Sequence, residues 1–431
     1  MTHNKFLQST FILIIGGLIT KILGFMIKIM YTRAIGPDGI SLYALIMPTY
    51  SLMVTVANFG MPVAISKLVS ENKICSQKIL SQALYILLFT NILIMFLLIL
   101  SSNFIATVLL KTPATGVLII GASLSMPNMA IACILKGYYY GKQRMLPNTI
   151  SNVIEQLIRI IFIIFFLPYF IKKSLLWGVL SFLLINIITE GASILTFLIL
   201  LPKHTKISIK DLKYNHDLNQ PLLSVSLPVI STKIIGNVGF FLEPIILSHH
   251  LSFHYSNSFF IKEYGLYNSY SLSLLLLPTF FIAAITTSLI PEISKFYTQK
   301  NIKMVKRRIK QALILSFVIG SLATIFITAF RYPLLKLIYN ETSGAAYIKS
   351  LSFFFIFYYL EAPLSSALQA LNKASTSFKI STFAIIIKEI CLYFLSYFPL
   401  KLYSLVIAEA LNIIIVVLIS FQSLLKTIKK L

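Results

Sequence analysis

The sequence predicts an all-α membrane protein of about twelve transmembrane helices in two six-helix bundles, related by a pseudo-twofold axis along the membrane normal. Three observations predict it. Of the 431 residues, 57% are hydrophobic and 12% charged, the mean hydropathy is +0.87, and apolar runs of the ~20 residues needed to cross a bilayer recur along the whole chain. The second half also repeats the first. Thr20-Lys21-Ile22-Leu23-Gly24 returns as Thr232-Lys233-Ile234-Ile235-Gly236, Gly39-Ile40-Ser41-Leu42-Tyr43 as Gly265-Leu266-Tyr267, Pro48-Thr49 as Pro278-Thr279, and Pro62 to Lys67 as Pro291 to Lys295. The offset is 212 at the first match and 224 to 230 at the later ones, which places an extra segment near Leu251 to Lys262. Finally, the basic residues are unevenly shared between alternate loops.

The predicted spans are 8–32, 39–66, 78–101, 115–140, 147–170 and 174–201 in the first half. In the second they are 221–251, 263–290, 309–330, 344–372, 379–398 and 399–425, the last two divided at Pro399. Backbone groups in lipid must be satisfied internally, so each run is a helix. The first follows a lone Lys5, has no small-residue cleavage site before Lys21 and contains the start of the repeat; it reads as a retained helix and not a signal peptide. An even number of helices per repeat gives both halves the same orientation. The division is then 1–201, a polar cytoplasmic linker at 202–220 carrying Lys203, Lys206, Lys210 and Lys213, and 221–431. Pro48, Pro62, Pro228, Pro278 and Pro363 interrupt apolar runs and are candidate kinks.

The net charge is +24, with 37 Lys and Arg. Twenty-three of these bases fall on one side: Lys5, loops 67–78, 136–147, 202–220, 292–310 and 373–379, and the C-terminal tail. Nine lie near the other side and five within spans. This asymmetry places both termini in the cytoplasm and the protein in the cell membrane, and it accounts for the basic charge without a nucleic-acid partner. The densest cluster, Lys303 to Lys310, is expected against anionic lipid headgroups. Cys75, Cys133 and Cys391 form no disulfide framework or zinc spacing. His249, His250 and His254 cluster at the outer end of one span; interfacial histidines are the simpler reading than a metal site.

An ionisable group within a span costs roughly 2.5–3.5 kcal/mol on insertion scales and usually faces the bundle interior. Setting aside groups assigned to the loops and span ends, the predicted spans hold eleven: Lys21, Lys28, Arg159, Lys233, Lys388, Glu155, Glu190, Glu243, Glu361, Glu389 and Glu409. In the first helix Gly17, Lys21, Gly24 and Lys28 fall on one face, alternating gaps with positive charge. The seventh repeats the idea with Lys233, Gly236, Phe240 and Glu243. Glycines at these places permit close approach and bending, so Gly17, Gly24 and Gly236 are candidate hinges. Should both stripes face the interface between halves, the centre is a cationic cavity suited to phosphate, with Lys21, Lys28 and Lys233 binding it. The alternative is that these lysines pair with membrane glutamates or snorkel.

Glu155 and Arg159, four apart, are placed to pair along one helix face, as a structural or a switchable bridge. Lys388 and Glu389 point about 100° apart and so expect different partners. Glu409 and Asn412 make a further polar stripe. Glu155, Arg159, Glu243, Lys388, Glu389 and Glu409 are therefore candidates for coupling or gating, with H+ or Na+ or the membrane potential as the drive. No G-x-x-x-x-G-K-[ST] loop is present to bind ATP, no cofactor motif occurs, and the outer-loop acids Asp38, Glu263 and Glu341 are far apart in sequence. These features point to translocation and not to covalent chemistry.

The stretches Thr20 to Phe25, Arg33 to Gly36, Gly39 to Tyr43, Pro48-Thr49 and Gly60 to Lys67 resemble the start of the stage V sporulation protein B family. So do Leu135-Lys136-Gly137 with Gly141, and Ile150 to Gln156 with Arg159; the second half matches more thinly, through Pro291 to Lys295 and Leu368 to Lys373. That family lies in the multidrug/oligosaccharidyl-lipid/polysaccharide superfamily of exporters and is similar to the lipid II flippase. The resemblance implies flipping of an undecaprenyl-pyrophosphate-linked saccharide, for spore cortex or cell wall, with helix-one cations in a central cavity. Lys21 stands where relatives often have arginine, and Lys28 aligns only approximately. Lysine is a point charge without bidentate phosphate geometry. Many relatives have fourteen helices, the terminal pair helping to form a lipid-tail groove; twelve are counted here. A cation-coupled multidrug exporter of the same superfamily is the main rival, ahead of a membrane glycosyltransferase or a non-transporting sporulation scaffold.

Overall fold

The computed structural model describes residues 2–71, 74–201 and 216–429, with side chains described except at 2–15, 216, 217, 232, 287, 288 and 291. Most of the predicted linker, 202–220, and its lysines 203, 206, 210 and 213 lie outside the described residues, as does the side chain of Lys5. The described chain is helical, with no strand among the described residues.

The helices are α1 (Thr2–Asn58), α2 (Met61–Glu71), α3 (Ser76–Phe104), α4 (Thr115–Ser123), α5 (Met126–Gly141), α6 (Leu146–Phe165), α7 (Leu167–Lys173), α8 (Leu175–Ile199) and α9 (His216–His250). They continue with α10 (Asn257–Gly265), α11 (Ser273–Leu276), α12 (Thr279–Thr298), α13 (Ile302–Ala329), α14 (Arg331–Tyr339), α15 (Ala345–Tyr358), α16 (Glu361–Ala370), α17 (Ala374–Leu395) and α18 (Tyr403–Lys429). Two π-helical segments, Ile105–Leu109 after α3 and Leu266–Leu272 after α10, interrupt the α-helical ladder.

Local chemistry sets the breaks. Gly36 takes φ 72 and ψ −178, a conformation in effect reserved for glycine, and Pro37 follows it. This divides α1 where two separate spans are predicted. The second of those spans is itself broken at Phe59 and Gly60, both at positive φ. A Cβ on Gly60 would sit 2.6 Å from the Ser226 carbonyl oxygen, so the backbone of α9 approaches α2 only because that atom is missing. Broken helices leave carbonyls to be satisfied, and fully buried Asn91 donates from Nδ2 to the Ala57 carbonyl at 3.1 Å. Pro62 and Pro363 fall near the starts of α2 and α16, where a missing N–H costs little. Pro278 stands at the 49° bend before α12.

Among the described residues, nine helical stretches are long and apolar enough to cross a membrane, and the bent pair Asn257–Leu276 with Thr279–Thr286 makes a tenth. The break at Gly36 divides the first stretch into two. The 22-residue α17 is long enough to span but carries Lys379, Lys388 and Glu389. Counted this way, the arrangement agrees with about twelve membrane helices.

The chain forms two compact units, Met1–Phe241 and Leu242–Leu431, so the boundary falls inside α9. In the first, Met61, Ile65, Leu80, Leu87, Ile134, Tyr139 and Phe197 build a fully buried core, and the Tyr139 hydroxyl donates to the Phe197 carbonyl at 2.8 Å. The early part of α9 is tied to this unit by polar contacts: Asn237 joins Ser51 at 2.5 Å and Thr55 at 2.8 Å, and Gln82 meets Asn219. In the second unit Tyr264, Tyr267, Tyr270, Phe355 and Tyr359 are fully buried.

Candidate functional site

Each unit holds its own cluster of intramembrane charge. In the second, Lys388 of α17 reaches Glu243 of α9 and Glu409 of α18, with Nζ 2.6 Å from Oε1 of Glu243 and 2.6 Å from Oε2 of Glu409. The three side chains are 11%, 6% and 16% exposed, so this is a bridge out of water. Adjacent Glu389 points elsewhere, as the 100° step requires. Both its carboxylate oxygens are buried and accept no hydrogen bond. Glu361, at the start of α16, lies within electrostatic reach of Glu409. Among the described residues of this cluster of four carboxylates, Glu243, Glu389 and Glu409 thus lie within reach of the one ammonium. Tyr264 and the π-helical Tyr267 face the same charges. An inserted π turn re-aims side chains, and such turns recur at functional sites. Asn412 lies one turn beyond Glu409, with its Oδ1 buried and unpartnered.

A surplus of buried acid is costly unless it is neutralised by a proton or a cation. The chemical capacity of this cluster is therefore exchange of a small cation, with Lys388 holding two of the four acids in place. No group of three or more His, Cys, Asp or Glu placed to hold a metal ion occurs among the described residues, this cluster included.

In the first unit the charges are more loosely held. Arg159 of α6 donates from Nη2 to Oδ1 of Asn186 on α8 at 3.0 Å, and it is not ion-paired with Glu155. Half-buried Glu190 lies within electrostatic reach of buried Glu155, of Lys136 and of Arg159. Lys136, where the predicted span 115–140 and the predicted loop 136–147 overlap, falls inside α5; its Nζ donates to Oδ1 of Asn152 at 3.3 Å. Lys136, Glu190 and Lys233 all lie within electrostatic reach of buried Cys133. Sequence reasoning gave no role to Lys136, Asn152 or Asn186, and singled out Glu190 only as one of the intramembrane charges. Leu135-Lys136-Gly137 and Ile150 to Gln156 both belong to the stretches that resemble the stage V sporulation protein B family, and the Lys136–Asn152 contact brings them together.

Lys21 is exposed and Lys28 half-buried on α1, and Lys233 is exposed on α9. Both helices run unbroken through Gly17, Gly24 and Gly236. A Cβ on Gly17 or Gly24 would meet no atom within 4 Å, so there is open space along that face. The stripe predicted on α9 is divided: Glu243 turns to Lys388, while Lys233 groups with the first unit. Of the histidines, buried His250 engages Ser396 at 2.6 Å and stacks on Tyr397, and His254 reaches the Tyr397 carbonyl at 2.9 Å.

A family model described as polysaccharide biosynthesis protein matches residues 6–297. The chain belongs to that family. A second model, MatE, matches residues 268–395. The chain is 32% identical over 419 residues to stage V sporulation protein B of Bacillus subtilis (strain 168), covering 93% of this chain and 79% of the relative. It is 30% identical over 174 residues to the lipid II flippase MurJ of the same organism, covering 37% of this chain and 32% of the relative. Among solved structures, an inward-facing multidrug resistance MATE family transporter of the MOP superfamily superposes with a TM-score of 0.78 at 14% identity, over 95% of both chains. This family member therefore has the MOP transporter fold and is a multi-pass membrane protein.

Proposed function

We propose that this protein moves an undecaprenyl-pyrophosphate-linked saccharide across the cell membrane by alternating access, for spore cortex or cell-wall synthesis. The observation that carries this reading is costly charge inside the spans of a chain related over 93% of its length to stage V sporulation protein B. The shorter match to a protein named lipid II flippase supports a lipid-linked substrate. The reaction is translocation, with no bond made or broken.

Lys21 is the principal phosphate contact, with Lys28 and Lys233 as further cations of the cavity, and Gly17, Gly24 and Gly236 let the two helices bend around the cargo. Exposure of Lys21 and Lys233 suits groups that meet a headgroup. The cluster of Glu243, Lys388, Glu389 and Glu409 takes up H+ or Na+, and the surplus of acid over ammonium supports that role. Glu155 and Arg159, with Glu190 and Lys136, gate the first bundle. The repeat sets the working halves as 1–201 and 221–431, joined by 202–220, with both termini in the cytoplasm.

The MatE match and the MATE-like fold favour a second reading, a cation-coupled multidrug exporter. The Lys21 series separates the two. Charge at this position should decide phosphate binding, since one positive group acts strongly in a bundle of low dielectric. Lys21→Arg keeps the cation and adds a bidentate contact, so outward exposure of lipid-linked precursor in vesicles should persist. Lys21→Ala should lose it with the protein still inserted, and Lys21→Glu should be worse. Equal flipping by the Ala and Glu variants at the wild-type rate would refute the phosphate role.

A further inference from the structure

Helices α12 and α13 are neighbours joined by the tight turn at 299–301, and a groove of ≈ 560 Å³ runs between them. Its walls follow helical spacing. Ile285, Leu289 and Glu292 line it from α12, and Arg308, Gln311, Ala312, Leu315 and Val318 from α13. The groove is apolar along most of its length and polar at the end nearest the turn. There Arg308 Nε stands 3.2 Å from Oε2 of Glu292, and its Nη1 donates to Oε1 of Gln311 at 3.2 Å. Both ionic partners are open to the surroundings, at 37% and 47% exposure.

The charge around that polar end is one-sided. Between residues 291 and 311 the sequence holds seven bases and a single acid, Glu292. Exposed Lys303, Lys306, Arg307 and Lys310 sit on the opening turns of α13, beside Arg308. A guanidinium carries five donors, of which Gln311 engages one, while Glu292 makes an ionic approach to Nε without a hydrogen bond. The rise from Arg308 to Val318 is about 15 Å, half the ~30 Å hydrocarbon core. A groove of that depth serves one leaflet, as a resident lipid requires and a cargo crossing the whole membrane does not. Leu315, at its middle, is half exposed and offers a wall to an acyl chain.

We propose that this groove holds one anionic glycerophospholipid of the adjoining leaflet, its phosphate on Arg308 and the neighbouring bases, and one acyl chain against Leu289, Leu315 and Val318. This site is separate from the buried charge clusters and independent of which cargo the protein carries. A second groove, of ≈ 440 Å³, opens along the far part of α13 and ends on Arg331. That guanidinium already donates to the Thr328 carbonyl at 2.7 Å and lies over the Tyr332 ring, so it serves as the internal control.

The test is native mass spectrometry of the purified full chain titrated with phosphatidylglycerol or phosphatidylcholine of matched chains. Retention of phosphatidylglycerol should exceed that of phosphatidylcholine at least about fivefold, the affinity that one cation contributes at a membrane surface. Arg308→Ala should remove most of that excess, Arg308→Lys should keep part of it, and Leu315→Trp should lower retention of both lipids. Arg331→Ala should change nothing. Thermal unfolding in the same detergent identifies any variant that fails to fold, and Arg308→Lys then carries the comparison. Equal retention of the two lipids, or an excess untouched by both groove substitutions, would overturn the proposal. So would displacement of phosphatidylglycerol by a lipid-linked saccharide at equal concentration, which would make the groove part of the cargo path.

Discussion

Lys388 is one ammonium set among three carboxylates, and its two short contacts decide what the residue is for. Removing one partner of a buried pair strands the others, which costs about 3–5 kcal/mol. Lys388→Met should therefore lower the thermal midpoint sharply, and adding Glu243→Gln and Glu409→Gln should recover most of the loss without recovering transport. A midpoint unchanged by Lys388→Met would mean that the bridge holds nothing in place. Glu389 is the contrasting case: with no partner to lose, Glu389→Gln should leave the midpoint near wild type while abolishing ion-driven transport. The sequence made the first half of this legible. A lysine and a glutamate side by side on a helix must point apart, and each does. The partners were not legible, because Glu243, Lys388 and Glu409 come from three helices, Glu243 145 residues away from Lys388, and no local spacing encodes that meeting. Arg159 illustrates the opposite failure: its spacing from Glu155 invites a bridge, yet Asn186 on another helix takes the guanidinium.

At the scale of the element, the breaks carry the meaning. Gly36-Pro37 was readable as a boundary because both residues resist a helix at that point. The break at Phe59 and Gly60 was not, since Phe59 has no reason of its own to take a positive φ; it does so because α9 lies against Gly60. Lys136 falls in both a predicted span and a predicted loop for a related reason: the basic run at 136–147 looks like a loop, while α5 extends through Gly141. Two substitutions separate strain from close approach. Gly36→Ala meets only the backbone penalty, about 1–3 kcal/mol for an L-residue in this glycine-only region. Gly60→Ala adds a clash with the Ser226 carbonyl, so it should unfold at the lower temperature; the reverse order would remove the account of that contact. The entry to α15 gives a pH-dependent case outside the membrane. The Ser343 hydroxyl, with the backbone N–H groups of Ser343 and Thr342, holds Glu341 below the usual carboxylate range. A depressed folded pKa stabilises above the unfolded value of about 4.3 and is lost as pH falls through the folded one. The difference in midpoint between wild type and Glu341→Gln should be constant near neutrality and shrink below about pH 4; a difference that grows with acid would reverse the sign assigned here.

For the whole molecule, the apolar runs and the repeat make the helical class and the number of spans readable from the sequence. Charge placement predicts the orientation, with both termini in the cytoplasm. Single cysteines in the tail after Leu424 should label only from the cytoplasmic side, and labelling from outside intact cells would invert the topology. The central claim is that this member of the polysaccharide biosynthesis family translocates a lipid-linked saccharide. Its most direct measurement uses liposomes holding purified protein, a lipid-linked saccharide precursor in the inner leaflet and an imposed H+ or Na+ gradient. The wild type should expose the precursor to an external enzyme faster than empty liposomes do, and the Lys21→Ala and Glu389→Gln proteins should not. Precursor exposure no faster than in empty liposomes, together with gradient-driven export of a cationic drug, would contradict the claim and establish the exporter instead.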